Sequence, residues 1–429
     1  MASPPTTPPA ELPPDQQSWR FVDTGAPCEW AEGYRPGGFH PVNLGDTFCD
    51  SKYKIIRKLG EGSYSTVWLA VSTGVPKYVA LKIMAAKAST INTELGILCH
   101  LSKLVPGDPN AQYVTILADA FRHQGPNGEH QCLAFEPMGT SAASLVEELP
   151  ENKPKKYGKR QRYPKWIAKR ILLHALHGLA FLHKNGVVHS DVQPSNLLFS
   201  IKNIELVEED ELKQDNASTA IPLQRIDGKT DRWASTNLYI KQPLHDHLQV
   251  GPGLNVKLSD LGSAFYLSKP LSDTVTPHGL RAPELILHQL FGCGIDIWSF
   301  GCLIFEFLTG RALFAVMVFG NDQKEQDDAD DDHLIQLDEI IQPLPNSMMA
   351  DWPRSSKWYG PSRQRLQPYA SGELYKHDSL EVLFEKNKPA EIDSSESAVL
   401  CALMRQIFNY DPAKRPSATD LLKHPWFTE

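Results

Sequence analysis

Residues 186–196 read GVVHSDVQPSN, and residues 255–265 read NVKLSDLGSAF. Both stretches begin as an apolar, strand-like run and end in a polar segment with a carboxylate, Asp191 in the first and Asp260 in the second. A carboxylate at a strand end is a natural ligand for a divalent cation. Asn196, five residues after Asp191, adds a second polar side chain. The repeated form indicates loops that line a site, although each stretch alone is also compatible with a plain turn.

A glycine-rich stretch lies upstream, LGEGSYSTVWLA at residues 59–70. Gly60 and Gly62 separate two strand-like runs, and their missing side chains would let backbone amides approach a phosphate closely. Ser65 stands where a nucleotide-binding loop usually has its third glycine. Taken alone, the stretch is equally compatible with a structural hairpin.

A lysine follows on an apolar strand, in VALK at residues 79–82. A lone ammonium group is costly in such a place, so Lys82 requires an anionic partner. The candidate is Glu94, which begins a helical stretch whose apolar residues place it near the inward face. A surface carboxylate at a helix start is the alternative for Glu94.

The order of these motifs is more specific than any one of them: glycine-rich loop, strand lysine, helix glutamate, Asp-x4-Asn loop, Asp-Leu-Gly, and then RAPE at 281–284. In this order the sequence resembles the eukaryotic protein kinases, whose signatures are VAIK, HRDxxxxN, DFG and APE. The resemblance extends from about Tyr53 to Phe427. It implies an α+β, bilobal protein kinase fold with a β-rich N-lobe and a mainly helical C-lobe, and it implies ATP and Mg²⁺ as cofactors.

The resemblance also predicts the domain boundaries. Residues 1–50 would be a Pro-rich, partly disordered N-terminal extension, residues 51–139 the N-lobe and hinge, and residues 140–429 the C-lobe. Within the C-lobe, residues 207–253 are acidic and rich in Asn, Thr and Pro with few apolar periods, which indicates an insertion. A second irregular stretch is predicted at about 345–392.

Motif matches assign roles residue by residue. Asp191 would accept or orient the proton of the substrate hydroxyl, Asn196 and Asp260 would bind the metal ions, and Lys82, oriented by Glu94, would hold the phosphates. The nucleotide would contact the glycine-rich loop and the surroundings of the adenine, namely Leu59, Gly60, Glu61, Gly62, Ser63, Val67, Ala80, Phe135, Glu136, Met138 and Leu198. Core packing is the alternative for Val67, Ala80 and Leu198. Structural roles fall to a Glu284–Arg415 ion pair and to Asp296.

Gln193 completes the predicted catalytic set of Asp191, Lys82, Gln193 and Asn196, and it departs from the kinase pattern. Ser/Thr kinases usually have a lysine there that contacts the γ-phosphate, whereas glutamine donates a hydrogen bond without a charge. The alternative function is therefore a catalytically weak or inactive nucleotide-binding pseudokinase that acts as a scaffold. A small-molecule kinase is a third alternative.

Other stretches resemble one branch, the SR-protein kinases, which phosphorylate serines in Arg-Ser repeats: GGFHPVNLGDTF at 37–48, VKLSDLGSA at 256–264 and DDDHLIQLDEIIQPLP at 330–345. The chain looks like a divergent, fungal-type member. The resemblance implies a serine/threonine kinase whose substrates are basic, Arg/Ser-rich proteins of mRNA splicing. It also implies a monomer present in the cytoplasm and the nucleus.

Composition excludes several classes of protein. A net charge of -8 argues against a nucleic-acid binder that works through overall charge. The longest apolar run, residues 297–305, is far below the ~20 residues needed to span a bilayer. Seven dispersed cysteines, an odd number, indicate buried, reduced thiols in an intracellular protein.

Three further features have two interpretations each. An acidic run at residues 325–332 suits Arg-rich substrates, or it is a solvated helix start. A basic run at residues 153–170 is a nuclear-import patch or an exposed face. Thr274 and Thr276 lie between the Asp-Leu-Gly and RAPE motifs without an arginine cluster to receive a phosphate, so activation without phosphorylation of this segment is expected.

Overall fold

The computed structural model of the chain describes residues 11–91, 93–153, 161–248, 250–320, 322–366 and 374–428. It divides into two compact units. The smaller unit comprises the chain up to Pro106, Thr115–Thr140 and Leu198–Leu254, and the larger unit comprises Gly107–Val114, Ser141–Leu197 and the chain from Asn255 onward. The sequence analysis placed the insertion at 207–253 in the helical half, whereas here it packs with the β-rich unit.

The regular elements follow the predicted change from strands to helices. The strands, numbered β1 to β13 in chain order, are Thr47–Phe48, Tyr53–Gly62, Ser65–Ser72, Tyr78–Met84, Leu117–Gly125, Gly128–Phe135, Met138–Ser141, Val187–Val188, Leu197–Ser200, Ala220–Pro222, Asn237–Tyr239, Val256–Leu258 and Phe265–Tyr266. The helices, α1 to α14, are Thr93–Ser102, Ala142–Glu148, Lys165–Lys184, Glu209–Leu212, Asn216–Thr219, Pro283–Ile286, Gly294–Thr309, Gln323–Gln336, Asn346–Asp351, Ser355–Trp358, Leu380–Asn387, Ser394–Ile407, Ala418–Leu421 and Pro425–Thr428.

The smaller unit is built on an antiparallel six-stranded sheet in the order β1-β2-β3-β4-β6-β5. Its strands carry alternating apolar residues, and the buried set on one face includes Trp68 and Leu81. Val42 of the N-terminal extension and Tyr239 of the insertion pack into the same cluster. Both segments thus complete the core of the sheet that carries the glycine-rich loop.

The N-terminal extension is more ordered than the sequence suggests. Residues 1–10 lie outside the described part of the chain, and Gln16–Ser18, within the extension predicted to be partly disordered, forms a 3-10 turn capped by the Asp15 carboxylate. From residue 20 onward the extension is fixed by the insertion: Val22 N donates to the Gln224 carbonyl at 2.9 Å, and an isolated bridge joins Phe21 to Arg225. The reason is that the apolar residues of the extension find partners elsewhere in the chain. Val42 and Phe48 pack into the core of the sheet. Tyr34 and Phe39 pack with Leu238 of the insertion, about 200 residues away.

The larger unit surrounds two long helices. In α3 the apolar residues recur at helical spacing, and Ile171, Leu172 and Leu179 are buried. Helix α7 is buried almost throughout, and the Trp298 ring lies 4.9 Å from that of Phe408. The stretch at 345–392, predicted to be irregular, contains the short helices α9 to α11, and its residues 367–373 lie outside the described part.

The cysteines agree only in part with the expectation of buried thiols. All seven are free, and Cys132, Cys302 and Cys401 are buried. Cys99 is exposed, because it lies on the outer face of α1, so the prediction of burial is wrong for this residue. No helix in the described residues is long and apolar enough to cross a membrane.

Candidate active site

The glycine-rich loop is the turn between β2 and β3, in which Gly60 pairs with Val67 and Gly62 pairs with Ser65. A Cβ atom added to Gly60 would meet nothing within 4 Å, and one added to Gly62 would meet only Ser65 Oγ, at 4.0 Å. Ser63 lies exposed at the turn. The backbone of this turn is thus open to close approach by a ligand, as a phosphate-binding loop requires.

Lys82 and Glu94 form the ion pair that the sequence predicts. Lys82 lies on β4, and its Nζ donates to Glu94 Oε1 of α1 at 2.7 Å. The side chains are only 13% and 6% exposed, so this pair is far less screened than a surface pair. Glu94 Oε2 is buried without a hydrogen-bond partner among the described residues. The pairing keeps the ammonium group in one place, next to the central strand β3.

Most of the residues predicted to surround the adenine lie on the six-stranded sheet or directly after it, whereas Met138 of β7 and Leu198 of β9 lie on two neighbouring strands outside that sheet. Ala80 of β4 pairs with Phe135, the last residue of β6, and Val67 of β3 pairs with Lys82. Ala80 and Met138 are buried, whereas the others remain partly exposed: Leu59, Glu61, Val67, Phe135, Glu136 and Leu198. Partial exposure of apolar side chains at these positions favours a surface that a ligand covers over complete burial in the core.

In the larger unit, Asp191 is held by two neutral amides. Gln193 Nε2 donates to Asp191 Oδ1 at 2.7 Å, and Asn196 Nδ2 donates to Asp191 Oδ2 at 2.8 Å. Asn196 Nδ2 also reaches the Asp191 carbonyl at 2.9 Å. Since both bonds of Asn196 use its nitrogen, Oδ1 is the atom that can face a cation. The kinase pattern puts residue 193 at the γ-phosphate, so the sequence did not predict the contact between Gln193 and Asp191.

Asp260 is linked to Asn196 through the residue that precedes it. Ser259 donates from its backbone N and from Oγ to the Asn196 carbonyl, at 2.8 and 3.0 Å. His189 Nε2 lies 3.0 Å from the Ser259 carbonyl and fixes the same strand end. Asp260 itself has φ of +61°, a left-handed conformation that aspartate adopts more readily than most residues. The two predicted metal ligands therefore belong to one hydrogen-bonded unit.

Asp296 anchors the loop that carries Asp191. Its two carboxylate oxygens accept the backbone N–H groups of His189 and Ser190, each at 2.8 Å. Ser190 has φ of +62°, and its Oγ donates to the Ser263 carbonyl at 2.6 Å. Strained backbone of this kind persists only where the surroundings determine it. The anchoring role predicted for Asp296 is confirmed by these contacts.

Comparison with known proteins decides the family. The protein kinase domain matches residues 53–210 and 236–427, most of the chain. The chain belongs to the protein kinase family. The fold agrees: the crystal structure of the PF14_0431 kinase domain superposes with a TM-score of 0.59 over 90% of this chain and 98% of that chain, at 23% identity. The α+β fold expected from the sequence, with β-rich and helical parts, is thereby confirmed.

The curated relatives are serine/threonine kinases of the SR-protein type. The chain is 29% identical to the serine/threonine-protein kinase SRPK of Physarum polycephalum, over 94% of this chain and 91% of the relative. It is 27% identical to the protein kinase dsk1 of Schizosaccharomyces pombe, over 94% and 85%. The human SRSF protein kinase 3 is 25% identical over 92% and 89%. These matches support a protein serine/threonine kinase similar to the SR-protein kinases.

The kinase contains the predicted buried ion pair of its RAPE motif. Arg415 donates from both terminal nitrogens to Glu284, at 2.6 and 2.7 Å, and the side chains are 1% and 2% exposed. Arg415 also donates to the carbonyls of Asn409 and Gly294, at 2.8 and 2.9 Å. All three nitrogens of the guanidinium thus donate hydrogen bonds, as a buried charge requires.

Thr276 is a structural residue in this kinase. It is 1% exposed, and its hydroxyl donates to the Ser190 carbonyl. Arg281 Nε donates to the Thr276 carbonyl at 2.9 Å, which fixes the segment again. A phosphate on Thr276 would have to displace these contacts, which favours the expectation that this segment needs no phosphorylation. Thr274, by contrast, is partly exposed.

The acidic run lies at the start of α8 but is largely neutralised by the chain itself. Asp331 is fully buried and accepts from Trp352 Nε1, Trp358 Nε1 and Arg354 Nε at 2.7 to 2.8 Å. Asp328 pairs with Lys357 at 3.1 Å. Burial also raises the pKa of the Asp330 carboxyl above its usual range. Neither interpretation from the sequence anticipated this role, because the partners lie about 25 residues downstream.

The chemistry of the side chains fits ATP and Mg²⁺. Asn196 and Asp260 offer amide and carboxylate oxygens, the ligands that Mg²⁺ prefers. Among the described residues no group of three or more His, Cys, Asp or Glu side chains could hold a metal alone. Two oxygen ligands suit a cation that also binds the phosphates of its nucleotide. Within the smaller unit, the open glycine-rich turn and the paired ammonium of Lys82 have the chemistry to bind phosphate groups.

Proposed function

We propose that this kinase uses Mg-ATP to phosphorylate serines in Arg/Ser-rich proteins. The observation that supports it most strongly is the set of contacts around Asp191, in which both carboxylate oxygens are oriented by Gln193 and Asn196. A general base must be oriented before its substrate arrives. The substrate class rests on the similarity to SR-protein kinases, one of which is named SRSF protein kinase 3.

In the proposed reaction the serine Oγ attacks the γ-phosphorus of ATP. The O–P bond to the serine forms as the bond between the γ-phosphorus and the bridging oxygen breaks, so that ADP leaves with the electron pair. Asp191 accepts or orients the hydroxyl proton, and its amide partners hold the carboxylate in one direction. Asn196 and Asp260 would hold Mg²⁺, which would supply positive charge to the phosphates. The other contribution of the protein would be to position the serine hydroxyl and the γ-phosphate for the transfer.

The smaller unit would bind and orient the nucleotide. Lys82, fixed by Glu94, would hold the α- and β-phosphates, and the amides of the glycine-rich loop would cover them. Leu59, Val67, Ala80 and Leu198 would enclose the adenine, which the backbone of Glu136 and Met138 would hydrogen-bond. Asn196 and Asp260 would bind the metal ions through oxygen atoms.

Gln193 would act on Asp191 instead of on the γ-phosphate. A lysine at this position contributes a charge to transition-state stabilisation, and loss of such a contact could cost a few kcal/mol, with about a tenfold slower rate for each 1.4 kcal/mol. The contact with Asp191 offsets part of this cost because it orders the base. We therefore propose slow but real turnover, and the inactive pseudokinase is an outcome that the experiment below can return.

Partners and location follow the same reasoning. The net charge of -8 favours basic protein substrates over nucleic acids. The basic run is engaged in part: Lys165 pairs with Glu396 at 2.8 Å and Arg162 donates to the Asn387 carbonyl. Its residues 154–160 lie outside the described part. We propose a monomer that acts in both cytoplasm and nucleus, which gel filtration and imaging of a tagged chain would test.

Transfer of labelled phosphate from Mg-ATP tests the function. The substrates are an Arg-Ser repeat peptide and a generic basic protein, and the variants are Asp191→Asn, Gln193→Lys and, as the matched control, Asp210→Asn. Asp210 is a surface carboxylate, 88% exposed, so its loss should leave transfer unchanged.

Phosphoserine that forms with the wild type and the control but not with Asp191→Asn would establish the kinase, and preference for the repeat peptide would establish the substrate class. Transfer by Gln193→Lys alone would mean that the natural chain is a nucleotide-binding scaffold. Transfer by no form, or equal transfer by Asp191→Asn, would refute the assignment of the catalytic residues.

A further inference from the structure

A buried lysine lies on β2, two residues before the first glycine of the glycine-rich loop. Lys58 of β2 is 0% exposed, and its Nζ donates to the carboxylate of Glu29 in the N-terminal extension. The same Nζ donates to the Tyr239 carbonyl of the insertion at 2.8 Å. Glu29 is 2% exposed and accepts a second hydrogen bond from the hydroxyl of Tyr34. Three segments far apart in the sequence therefore meet at one ammonium group.

Glu61 connects this buried group to the loop. One carboxylate oxygen of Glu61, Oε2, lies 3.1 Å from Lys58 Nζ, and the other, Oε1, lies 2.9 Å from the Nζ of Lys241 in the insertion. Glu61 is the residue between Gly60 and Gly62, and its side chain is 15% exposed. The two lysines and the two glutamates balance in charge. Glu61 of the loop is thus paired with Lys58 of its own strand and with Lys241 of the insertion.

The insertion also binds the backbone of β2 at this point. Lys58 N donates to Gln214 Oε1 at 2.6 Å, and Gln242 N donates to the Lys58 carbonyl at 2.9 Å. Gln214 is itself fixed, because its Nε2 donates to the Ile240 carbonyl and to Thr219 Oγ1, at 2.9 and 2.8 Å. Two parts of the insertion, at Gln214 and at Gln242, therefore form hydrogen bonds with the backbone of Lys58, on the strand that enters the loop.

We propose that Glu61 and Lys241 are positioning residues for the nucleotide. The insertion, whose role the sequence does not show, holds the glycine-rich loop through the Lys241–Glu61 pair, and the extension supports that pair through Glu29 and Lys58. The inference rests on the proposed function, since it assumes that the loop covers the phosphates of ATP. A loop that is ordered before binding loses less entropy when the nucleotide arrives. The pair should therefore act on nucleotide affinity and not on the chemical step.

Lys241→Met tests the tether, and Lys54→Met is its matched control. Lys54 lies on the same strand β2 and pairs with Glu209 of the same insertion at 2.7 Å, with 45% of its side chain exposed against 49% for Lys241. The control pair differs in lying away from the loop. Lys241→Arg keeps the charge and should restore the wild-type behaviour. The readouts are amide deuterium uptake of residues 59–66 without nucleotide, the Kd for Mg-ATP by calorimetry, and the split between KM for ATP and kcat.

Lys241→Met should raise deuterium uptake in the loop and weaken Mg-ATP binding roughly three- to tenfold, with kcat changed less than twofold. Lys54→Met and Lys241→Arg should match the wild type in all three readouts. Equal uptake and equal Kd in Lys241→Met and Lys54→Met would overturn the inference and leave the proposed function intact. A wild-type chain that binds no Mg-ATP would overturn the proposed function, and the inference with it.

Discussion

Glu94 in the smaller unit and Asp191 in the larger unit are both carboxylates of the predicted catalytic apparatus, but their partners differ. Glu94 is 6% exposed and pairs with a charged group, Lys82. Asp191 is partly exposed and accepts hydrogen bonds from the neutral amides of Gln193 and Asn196. A buried charge depends on its counter-charge, whereas a carboxylate that reaches solvent needs only to be oriented. Loss of a partner should therefore cost much more in the first arrangement than in the second.

The strongest test of this comparison is the Glu284–Arg415 pair, the most deeply buried ion pair among the described residues of the larger unit. Arg415→Met should lower the free energy of unfolding by about 3–5 kcal/mol, because it leaves the Glu284 carboxylate buried without its charge partner. Arg405→Met is the control, since Arg405 makes the same two-pronged contact with Glu381 at 2.7 Å on the surface. It should cost at most about 1 kcal/mol. Chemical denaturation measures both, and equal losses would break the comparison.

The next effect concerns activity. Glu94→Gln should lower kcat/KM about 100-fold, because the ammonium of Lys82 loses about 3 kcal/mol of charge pairing and is no longer held in one place. Glu209→Gln removes the partner of a more exposed lysine, Lys54, and should leave kcat/KM within about twofold. Steady-state phosphorylation assays distinguish the two variants. A Glu94→Gln enzyme with wild-type kcat/KM would show that Lys82 needs no partner.

A smaller loss is expected where the partner is neutral. Gln193→Ala removes one hydrogen bond to the partly exposed Asp191 carboxylate, and since a hydrogen bond to a charged group contributes about 1.5–3 kcal/mol, kcat should fall about tenfold, the lower end of that range. Asn196 would still orient the carboxylate. Ser195→Ala, at an exposed neighbouring position, should change nothing. A fall in kcat for Gln193→Ala as large as that for Asp191→Asn would show that the amide is as essential as the base.

The difference between these regions also explains what the sequence could predict. Lys82, Glu94 and Asp191 lie in short, ordered motifs, so their types and spacing were enough to assign them, and the Lys82–Glu94 and Glu284–Arg415 contacts are present. Lys58 has no such motif. Its partners Glu29 and Tyr239 are 29 and 181 residues away, and only the fold brings them together.

The same limit applies to the insertion. Its polar composition predicted an irregular segment, yet Tyr239 is 4% exposed and packs into the core of the sheet. A few apolar residues are enough to fix the insertion on the sheet when each one packs into a core that the sheet already forms. Periodicity cannot reveal such a segment because it reports only regular elements. The role of the acidic run of α8 was not predicted for a related reason. Composition shows how many charges a segment has, but it does not show where their partners lie.

The last effect expected here is a pH dependence of stability, and it comes from three neutral histidines in the smaller unit. The ring centroid of His40 lies 4.6 Å from that of His123 and 4.9 Å from that of His130. Burial is the main cause that lowers all three pKa values, that of His40 to about 3, and the neighbouring imidazoles lower the pKa of His40 further. Asp46 acts in the opposite direction on His123. In the unfolded chain each histidine would titrate near its ordinary pKa of about 6.5.

Between these pKa values the unfolded chain binds more protons than the folded one, so the free energy of unfolding must fall as the pH drops below about 6.5. From pH 7.5 to 5.5 the expected loss is about 1.4 kcal/mol for each histidine that stays neutral in the fold. His40→Gln should reduce this dependence, whereas His245→Gln, at an exposed site, should keep it. Urea unfolding at the two pH values measures the difference. A free energy of unfolding that is unchanged or rises towards pH 5.5 would show that these imidazoles accept protons within the fold. The smaller unit would then hold buried positive charges without a counter-charge, against the comparison.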